Sequence, residues 1–350
     1  MPLNWNTYEK NFRKAASDLR LTPKQLEAYE DSCLTYAKRL YDNNLPVIYD
    51  GLHLCKCLLY RVSFVYAVAN SPYKFYRHFK IPKKSGGERL ISEPLPSLKE
   101  IQRWILDNIL VQIKPSRFAK AFQRNRDITD NARFHVGQPY VLSVDIENFF
   151  PSINFKRVFS VFFRCGYSVS VSTLLSKLCT LDNALPQGAP TSPALSNLIA
   201  SRLDRRISGF TIKNRLRYTR YADDITISGL QNAESIGSIF GTLYSIIESE
   251  GFKVKTSKTR VMHQGQQQKV TGIVVNSKMS SPRTERRSLR QVSYYIRKHG
   301  LASHMDRTRQ NRSSYVEHLM GRAGFVLFLD PKNKDALQLT QMLAPKDRAG

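Results

Sequence analysis

Three aspartates lie where a carboxylate can take part in chemistry. The stretch RYTRYADDITIS, from Arg217 to Ser228, places Asp223 and Asp224 side by side between segments rich in Tyr, Thr and Ile. Such residues favour extended structure and Asp tolerates tight turns, so the pattern predicts a β-hairpin with the acids at its tip. A solvated turn is the simplest alternative for an isolated Asp-Asp pair.

The third aspartate, Asp145, lies within YVLSVDIENFFPSI, from Tyr140 to Ile153, whose apolar residues predict a buried strand. A lone carboxylate in an apolar strand is unfavourable unless it is paired or binds a cation. If this strand lies beside the hairpin, Asp145 and Asp223 can share divalent metal ions. Two Mg²⁺ ions about 3.5–4 Å apart activate a primer hydroxyl and stabilise a leaving pyrophosphate, which predicts a phosphoryl-transfer site.

The charge of the chain predicts a polyanionic partner. In 350 residues, 54 Lys and Arg oppose 28 Asp and Glu, which gives a net charge of +26. Nucleic acid is the leading partner, and an anionic membrane surface is the rival. No apolar run is long enough to span a bilayer and no signal segment opens the chain, so we expect no membrane. The five cysteines follow no zinc-site spacing and are expected to be reduced thiols of a cytoplasmic protein.

Periodicity predicts the elements that must position these acids. Helical spacing covers Thr22 to Tyr41, with Thr22-Pro23 at its start, and a second helix is predicted over Leu52 to Val68. Strands and a Gly-Gly turn follow between Phe75 and Ile91. The remaining predictions are a helix over Leu98–Val111, a strand over Lys269–Asn276, and, beyond Pro282, a basic helix with Leu289, Val292, Tyr295 and Ile296 on its apolar face.

Three motifs together resemble those of the reverse transcriptases. SVDIENFFPSI, LPQGAPTSPALSNL and YADD follow one another in the order of that family's motifs A, B and C. The resemblance extends from about Tyr73 to Asn276. It implies an RNA-directed DNA polymerase of α+β class, shaped as a right hand with fingers, palm and thumb. The implied divisions are a helical N-terminal layer over residues 1–70, fingers and palm over 71–276, and a basic helical thumb over 277–350.

The resemblance also implies roles for single residues. Asp145, Asp223 and Asp224 match the ligands of two Mg²⁺ ions, with Asp223 the more direct ligand of its pair. Lys258, in GFKVKTSKTRVM, resembles a lysine that protonates pyrophosphate, and the alternative is one exposed lysine among many. Phe150 matches the aromatic gate that excludes a 2′-OH, while Phe149 is expected in the core. The nucleotide-binding residues are then Lys83, Lys84, Arg89, Ile146, Phe150, Gln187 and Gly188.

Two further stretches narrow the family. NARFH, from Asn131 to His135, and the VTG of VTGIVVN resemble signatures of retron reverse transcriptases. The stretch KAFQRNRDITD departs from the family, which leaves the template contacts near Phe122 to Asp127 open. The residues predicted to contact RNA are Asn131, His135, Val270, Thr271, Gly272, Arg286, Arg287 and Arg290.

The retron resemblance implies a particular reaction. The enzyme would bind a structured noncoding RNA of its own locus (msr-msd), prime from the 2′-OH of an internal guanosine, and use dNTPs to make a branched RNA–DNA hybrid (msDNA). It would act in anti-phage defence with a separate effector protein. The alternatives are a diversity-generating or intron-derived reverse transcriptase, and a non-catalytic RNA-binding scaffold, whose mark would be the loss of a metal-binding aspartate.

Overall fold

The computed structural model describes residues 4–83, 86–229, 236–310 and 313–344. It divides into two compact units. The first unit comprises Met1–Arg124, Ile146–Ile207 and Leu243–Val254, and the second comprises Asn125–Asp145, Ser208–Thr242 and Lys255–Gly350. Helices and strands are mixed along the chain, which confirms the α+β class. The predicted division into residues 1–70, 71–276 and 277–350 is based on the sequence motifs, and its boundaries differ from those of the two units. It stays a prediction.

The elements, in chain order, are α1 (Trp5–Ala16), α2 (Pro23–Asp42), α3 (Gly51–Leu58), α4 (Val62–Asn70), β1 (Tyr76–Pro82), β2 (Glu88–Pro94), α5 (Pro96–Asn108), α6 (Ile128–Ala132), β3 (Tyr140–Asp145), α7 (Phe155–Arg164), α8 (Val169–Cys179), α9 (Ser192–Ile199), α10 (Ser201–Lys213), β4 (Arg217–Tyr221), β5 (Asp224–Ser228), α11 (Ile236–Ser249), β6 (Arg260–His263), β7 (Lys269–Val270), β8 (Ile273–Val274), α12 (Arg283–Arg307), α13 (Tyr315–Leu329) and α14 (Lys334–Leu343).

The first unit begins with the predicted helical layer. Thr22 caps α2 by accepting a hydrogen bond from the backbone of Gln25, whose side chain bonds back to Thr22, and Pro23 opens the helix. The single helix predicted over Leu52–Val68 is wrong. The chain breaks after α3 because Leu59 is left-handed, with φ 59°, and α3 and α4 meet at a bend of 108°.

Two other segments of the first unit match their predictions. Strands β1 and β2 form an antiparallel hairpin in which Ile81 pairs with Arg89. Helix α5 begins at Pro96, two residues before the predicted start, ends at Asn108, and buries Leu98, Ile101 and Ile105. No single helix of the described ranges is both long and apolar enough to cross a membrane, although the bent α3–α4 pair passes the same test of length and composition.

An antiparallel sheet of four strands, in the order β4-β5-β3-β6, forms the centre of the second unit. Strand β3 pairs with β5 so that Asp145 lies opposite Asp224, as the acid pattern predicts. The single strand predicted over Lys269–Asn276 is wrong. The segment folds into the short β7–β8 hairpin because Thr271 and Gly272 both adopt positive φ, 46° and 91°, and reverse the chain.

The C-terminal helices α12, α13 and α14 share one apolar core. Leu289 and Ile296 of α12 are buried against Leu319 of α13 and Leu339 of α14, and Val292 packs partly buried beside them. Tyr295 is half-buried, and its ring lies tilted to that of His304 at a centroid distance of 5.6 Å. The predicted apolar face of the basic helix is therefore confirmed.

Candidate active site

The acid pair lies at the tip of a two-residue hairpin. Tyr221 pairs with Asp224, which leaves Ala222 and Asp223 as the turn, and Ala222 is left-handed with φ 56°. The fully buried guanidinium of Arg220 donates a hydrogen bond of 3.0 Å to the carbonyl of Ala222. Arg220 therefore stabilises the turn that presents Asp223. Nothing in its sequence context distinguishes this arginine from the many others of the chain.

Asp145 approaches the hairpin from the neighbouring strand. It is the last residue of β3, it is only 6% exposed, and its carbonyl accepts a hydrogen bond of 2.8 Å from the backbone of Lys255. Burial, followed by the charges of Asp223 and Asp145, raises the pKa of Asp224 to about 6, while Lys258 and Arg260 oppose the shift. Negative charge is therefore concentrated at the ends of β3 and β5.

Lys258 contacts one of these acids directly. It ends a short 3₁₀ turn, Thr256–Lys258, and its Nζ donates a hydrogen bond of 2.7 Å to Oδ2 of Asp145. That hydrogen bond, assisted by the charges of all three aspartates, raises the pKa of Lys258. The ammonium therefore stays protonated at neutral pH, although its side chain is 42% exposed.

The donor chemistry of the three aspartates fits a divalent cation. Carboxylate oxygens are the hard ligands that Mg²⁺ prefers, and few of them suffice because waters and substrate phosphates complete the shell. Burial and the two neighbouring aspartates raise the pKa of Asp224, so a cation bound beside it would favour its charged form. Within the described ranges, no group of three or more His, Cys, Asp or Glu side chains is already gathered as a metal cluster, and Lys258 contacts Asp145 instead.

In the first unit, the LPQG loop lies against strand β2. The backbone N–H of Ser92 donates a hydrogen bond of 2.8 Å to the carbonyl of Gln187. Gly188 has φ +126°, and a Cβ there would lie 2.8 Å from the carbonyl oxygen of Ser92. Only glycine fits this conformation and this close approach. The structure thus joins the loop of Gln187 and Gly188 to the hairpin whose turn begins at Lys83.

The other predicted nucleotide-binding residues differ in exposure. Lys83 and Arg89 are exposed, and Lys84 lies outside the described residues. The half-buried ring of Phe150 contacts Phe149 and Phe122 at centroid distances of 5.6 and 6.1 Å, and Phe149 is in the core as predicted. The side chain of Ile146 is 1% exposed and belongs to the core, and the predicted nucleotide contact of this residue stays a prediction.

NARFH contributes to the interior of the second unit. Asn131 and His135 are both fully buried, so their side chains belong to the interior, and their predicted RNA contact stays a prediction. His135 lies between the two strands of the acid hairpin. Its Nδ1 is 2.7 Å from the hydroxyl of Ser228 on β5, and its Nε2 is 2.7 Å from the hydroxyl of Thr219 on β4. His135 is therefore a positioning residue for the hairpin.

The VTG turn packs against the same region. Val270 is buried in a hydrophobic cluster with Ala132 of NARFH, and its predicted RNA contact stays a prediction. Thr271 and Gly272 are half-buried at the turn, and the hydroxyl of Thr271 reaches the carbonyl of Ile128 at 3.5 Å. The two signature stretches thus meet in one cluster, which their separation in the sequence does not reveal.

The arginines of α12 have different environments. Arg286 is half-buried and donates to the carbonyl of Ser281, while Arg290 forms an ion pair of 2.8 Å with Asp335 of α14. Arg287 is exposed. Arg287 and Arg290, whose side chain is 70% exposed despite its ion pair, both remain accessible to a phosphate.

Comparisons with known proteins agree with this site. The family model described as "Reverse transcriptase (RNA-dependent DNA polymerase)" matches residues 81–275, a range that includes all three aspartates. The retron Ec86 reverse transcriptase of Escherichia coli is 35% identical over 298 residues, which cover 84% of this chain and 89% of that protein. This chain belongs to the retron-type reverse transcriptases.

Other relatives support the assignment. The retron Ec83 reverse transcriptase of Escherichia coli is 30% identical, with 77% of this chain and 88% of that protein covered. The retron Mx162 reverse transcriptase of Myxococcus xanthus is 34% identical, with 76% of this chain but only 61% of that protein covered. The protein is thus an RNA-directed DNA polymerase, and its family generally uses divalent metal ions.

Proposed function

We propose that this retron-type reverse transcriptase copies part of a structured noncoding RNA from its own locus, the msr-msd RNA, into branched msDNA. Synthesis starts at the 2′-OH of an internal guanosine of that RNA. The observation that carries the proposal is the presence of NARFH and VTG, which pack into one cluster beside the strands of the acid hairpin. A polymerase that copies any template does not require a dedicated structural element of this kind.

We further propose how the site performs polymerisation. Asp145, Asp223 and Asp224 would hold two Mg²⁺ ions, which supply activation of the priming hydroxyl and stabilisation of the charge on the leaving pyrophosphate. The Nζ of Lys258 carries a proton and lies beside Asp145. Lys258 delivers that proton to the pyrophosphate. Its raised pKa supports this role, because the lysine enters the reaction protonated.

We assign the binding of the incoming dNTP to residues of the first unit. The exposed cations Lys83, at the hairpin turn, and Arg89, on β2, bind the triphosphate together with Lys84. The loop of Gln187 and Gly188 supports the base pair. Phe150 excludes the 2′-OH of a ribonucleotide. The hydrogen bond between Ser92 and Gln187 supports a joint role for hairpin and loop, because it couples their positions.

The right-hand architecture belongs to the same proposal. The β1–β2 hairpin is assigned to the fingers, the β4-β5-β3-β6 sheet to the palm, and helices α12 to α14 to the thumb. The cognate RNA contacts the thumb through Arg287 and Arg290. Anti-phage defence with a separate effector protein is proposed from the retron resemblance.

Co-expression with the noncoding DNA that flanks the gene tests the priming reaction. Extracted nucleic acid is treated with debranching enzyme, and we expect a short DNA whose mobility shifts after treatment. Asp223→Asn removes a proposed metal ligand and should abolish this DNA while RNA binding is nearly unchanged. If only linear, externally primed DNA appears, the enzyme is a general reverse transcriptase and the retron reaction is excluded. Normal synthesis by folded Asp223→Asn protein would contradict the metal site.

A further inference from the structure

The first unit contains a large cleft whose walls are basic. Its volume is about 960 Å³, and it lies among helices α7, α9 and α10 and the end of α11. Five cations line it and one carboxylate, Glu250, lies among them. The five cations are Lys114, Arg157, Arg164, Arg202 and Arg205. None of the residues assigned above to metal, nucleotide or RNA binding is among the lining residues.

Helix geometry arranges these cations in two rows. Residues three, four and seven apart share one face of a helix, so Arg157 and Arg164 flank Ser160 and Val161 on the cleft side of α7. Arg202 and Arg205, three residues apart, likewise lie on one face of α10. Four apolar side chains also line the cleft and are here called its apolar floor: Leu45, Val161, Leu198 and Ile199.

Neighbouring residues hold the guanidinium groups in place. The side chain of Glu250 is only 6% exposed and forms ion pairs with Arg202, at 3.2 Å, and with Arg206, at 2.7 Å. Arg157 lies over the ring of Phe252 at 4.2 Å, and burial lowers the pKa of Arg157. These guanidiniums are therefore ordered, and Arg157 is partly dehydrated, before any ligand arrives. Such preorganisation reduces the entropy lost when an anion binds.

We propose that this cleft binds the sugar–phosphate backbone of an RNA strand, at a site separate from the catalytic aspartates. The planar guanidinium matches the geometry of a phosphate, and two rows of arginines suit a ligand with regularly repeated charges. The apolar floor accommodates the faces of unpaired bases, the combination found where single-stranded nucleic acid is bound. The site anchors RNA whether synthesis starts from a 2′-OH or from an external primer, so it does not depend on the priming reaction.

Two double variants of the full-length protein test the proposal. Arg164→Gln/Arg202→Gln removes one charge from each wall of the cleft. Lys156→Gln/Lys213→Gln removes two charges from exposed positions of the same helices, α7 and α10, which do not line it. Thermal melting checks that every variant folds. The conservative variant Arg164→Lys/Arg202→Lys keeps the charge and loses only the planar fork.

The measurement is fluorescence anisotropy of labelled oligouridine, titrated at several salt concentrations. Each phosphate contact to a single strand contributes about 0.7 to the slope of log K against log salt concentration. We therefore expect the Arg→Gln pair to bind more weakly, with a slope lower by about 1.4 than that of the lysine control. The Arg→Lys pair should keep the wild-type slope with reduced affinity. Equal affinity and slope for the Arg→Gln and Lys→Gln pairs would overturn the proposal.

A cross-link locates the bound strand. With p-benzoylphenylalanine in place of Ser160, irradiation should attach oligouridine to the protein, whereas the same group in place of Lys156 should not. Cross-linking only at Lys156 contradicts the site. A polyglutamate peptide distinguishes RNA from an acidic protein as the occupant. If Arg164→Gln/Arg202→Gln abolishes binding of that peptide while oligouridine binding equals the lysine control, the cleft is a protein-docking surface and the RNA proposal is wrong.

Discussion

In the second unit, the surroundings of Asp224 disfavour the ionised form of its carboxylate. Burial and the charges of Asp223 and Asp145 raise its pKa to about 6, and only Lys258 and Arg260 counteract them. Carboxylates with strongly shifted pKa values cluster at functional sites, because a place that disfavours an isolated negative charge favours the binding of a cation. The energetic cost of this arrangement can be measured in the absence of metal.

Asp224→Asn should stabilise the protein when divalent ions are chelated. An acid whose pKa is higher in the folded than in the unfolded state destabilises the fold as pH rises through the folded value, and it has no such effect below the unfolded value. We therefore expect the melting temperature at about pH 7.5 to rise by roughly 2–6 °C. The gain should shrink towards about pH 5, where the folded state already carries the proton. The measurement is thermal melting at both pH values.

Glu147→Gln serves as the matched control for this variant, because Glu147 is exposed and its removal relieves no crowding. Its melting temperature should stay close to that of the wild type at both pH values. If Asp224→Asn and Glu147→Gln melt alike at the higher pH, the three aspartates do not repel one another as the structure indicates.

Phe150→Ala should increase the incorporation of ribonucleotides relative to deoxyribonucleotides. The half-buried ring is held by Phe122 and Phe149, and its loss would leave room for a 2′-OH. The measurement is primer extension with each nucleotide class, expressed as a ratio of kcat/KM. Phe149→Leu changes the adjacent core ring and should lower stability without changing that ratio. Unchanged selectivity in an active Phe150→Ala enzyme would reduce Phe150 to a packing residue.

At the scale of elements, the acid hairpin depends on contacts from distant parts of the chain. His135 bonds to Thr219 on β4 and to Ser228 on β5, 84 and 93 residues away in the sequence. Arg220 stabilises the turn from within β4. The positions of Asp223 and Asp224 thus rest on a buried polar network, and such networks are sensitive to the loss of one member.

His135→Leu should lower the free energy of unfolding by about 2–4 kcal/mol, because two buried hydroxyls lose their partner. His135→Gln can replace one of the two hydrogen bonds and should lose about half as much. Denaturant titration measures both. At a temperature where His135→Leu is folded, its affinity for RNA should equal that of the wild type. A stable His135→Leu protein that has lost RNA binding would support a direct RNA contact for this histidine.

The sequence predicts some elements because their signals are local. Local patterns predict strand β3 and the acid hairpin, and Thr22-Pro23 marks the start of α2. The pairing of β3 with β5, which brings Asp145 opposite Asp224, is a tertiary contact that the sequence leaves conditional. The break after α3 carries no such signal, since Leu59 adopts a left-handed conformation without a Gly or Pro to indicate it. The VTG hairpin was detectable in principle, because Gly272 lies where the chain reverses.

The side-chain environments of the signature residues were less predictable. A polar residue in a motif such as NARFH can face a ligand or complete a core, and its neighbours in the sequence do not decide between these. For His135 the partners lie on β4 and β5, and for Val270 the partner is Ala132, so burial became evident only from the tertiary structure. The stabilising contact of Arg220 with the turn is likewise visible only in the tertiary structure.

At the scale of the whole molecule, the net charge of +26 dominates the expected behaviour with nucleic acid. Several acids are already engaged in ion pairs, such as Glu93 with Arg77 and Lys99, and Asp130 with Arg133. The excess of cations is therefore available to phosphates at many places on the surface. Such contacts attract any RNA, whereas recognition of one folded RNA also requires contacts that read its shape and its unpaired bases.

Salt should separate these two kinds of binding. A protein with six to ten phosphate contacts loses about 10³–10⁵ in affinity between about 50 and 200 mM salt, so a shuffled RNA should dissociate at the upper end of that range. The RNA transcribed from the flanking noncoding DNA should keep a preference there, because shape contacts and hydrogen bonds to bases and 2′-hydroxyl groups release few counterions. Filter binding of the native and the shuffled RNA, at equal length and composition, gives the ratio of affinities across the salt series. We expect the ratio to persist or grow with salt, and Asp223→Asn protein to show the same ratio, since catalysis is not involved. A ratio near one at every salt concentration would mean that the protein binds RNA by charge alone, and selection of its template would then have to arise from co-transcription at the locus.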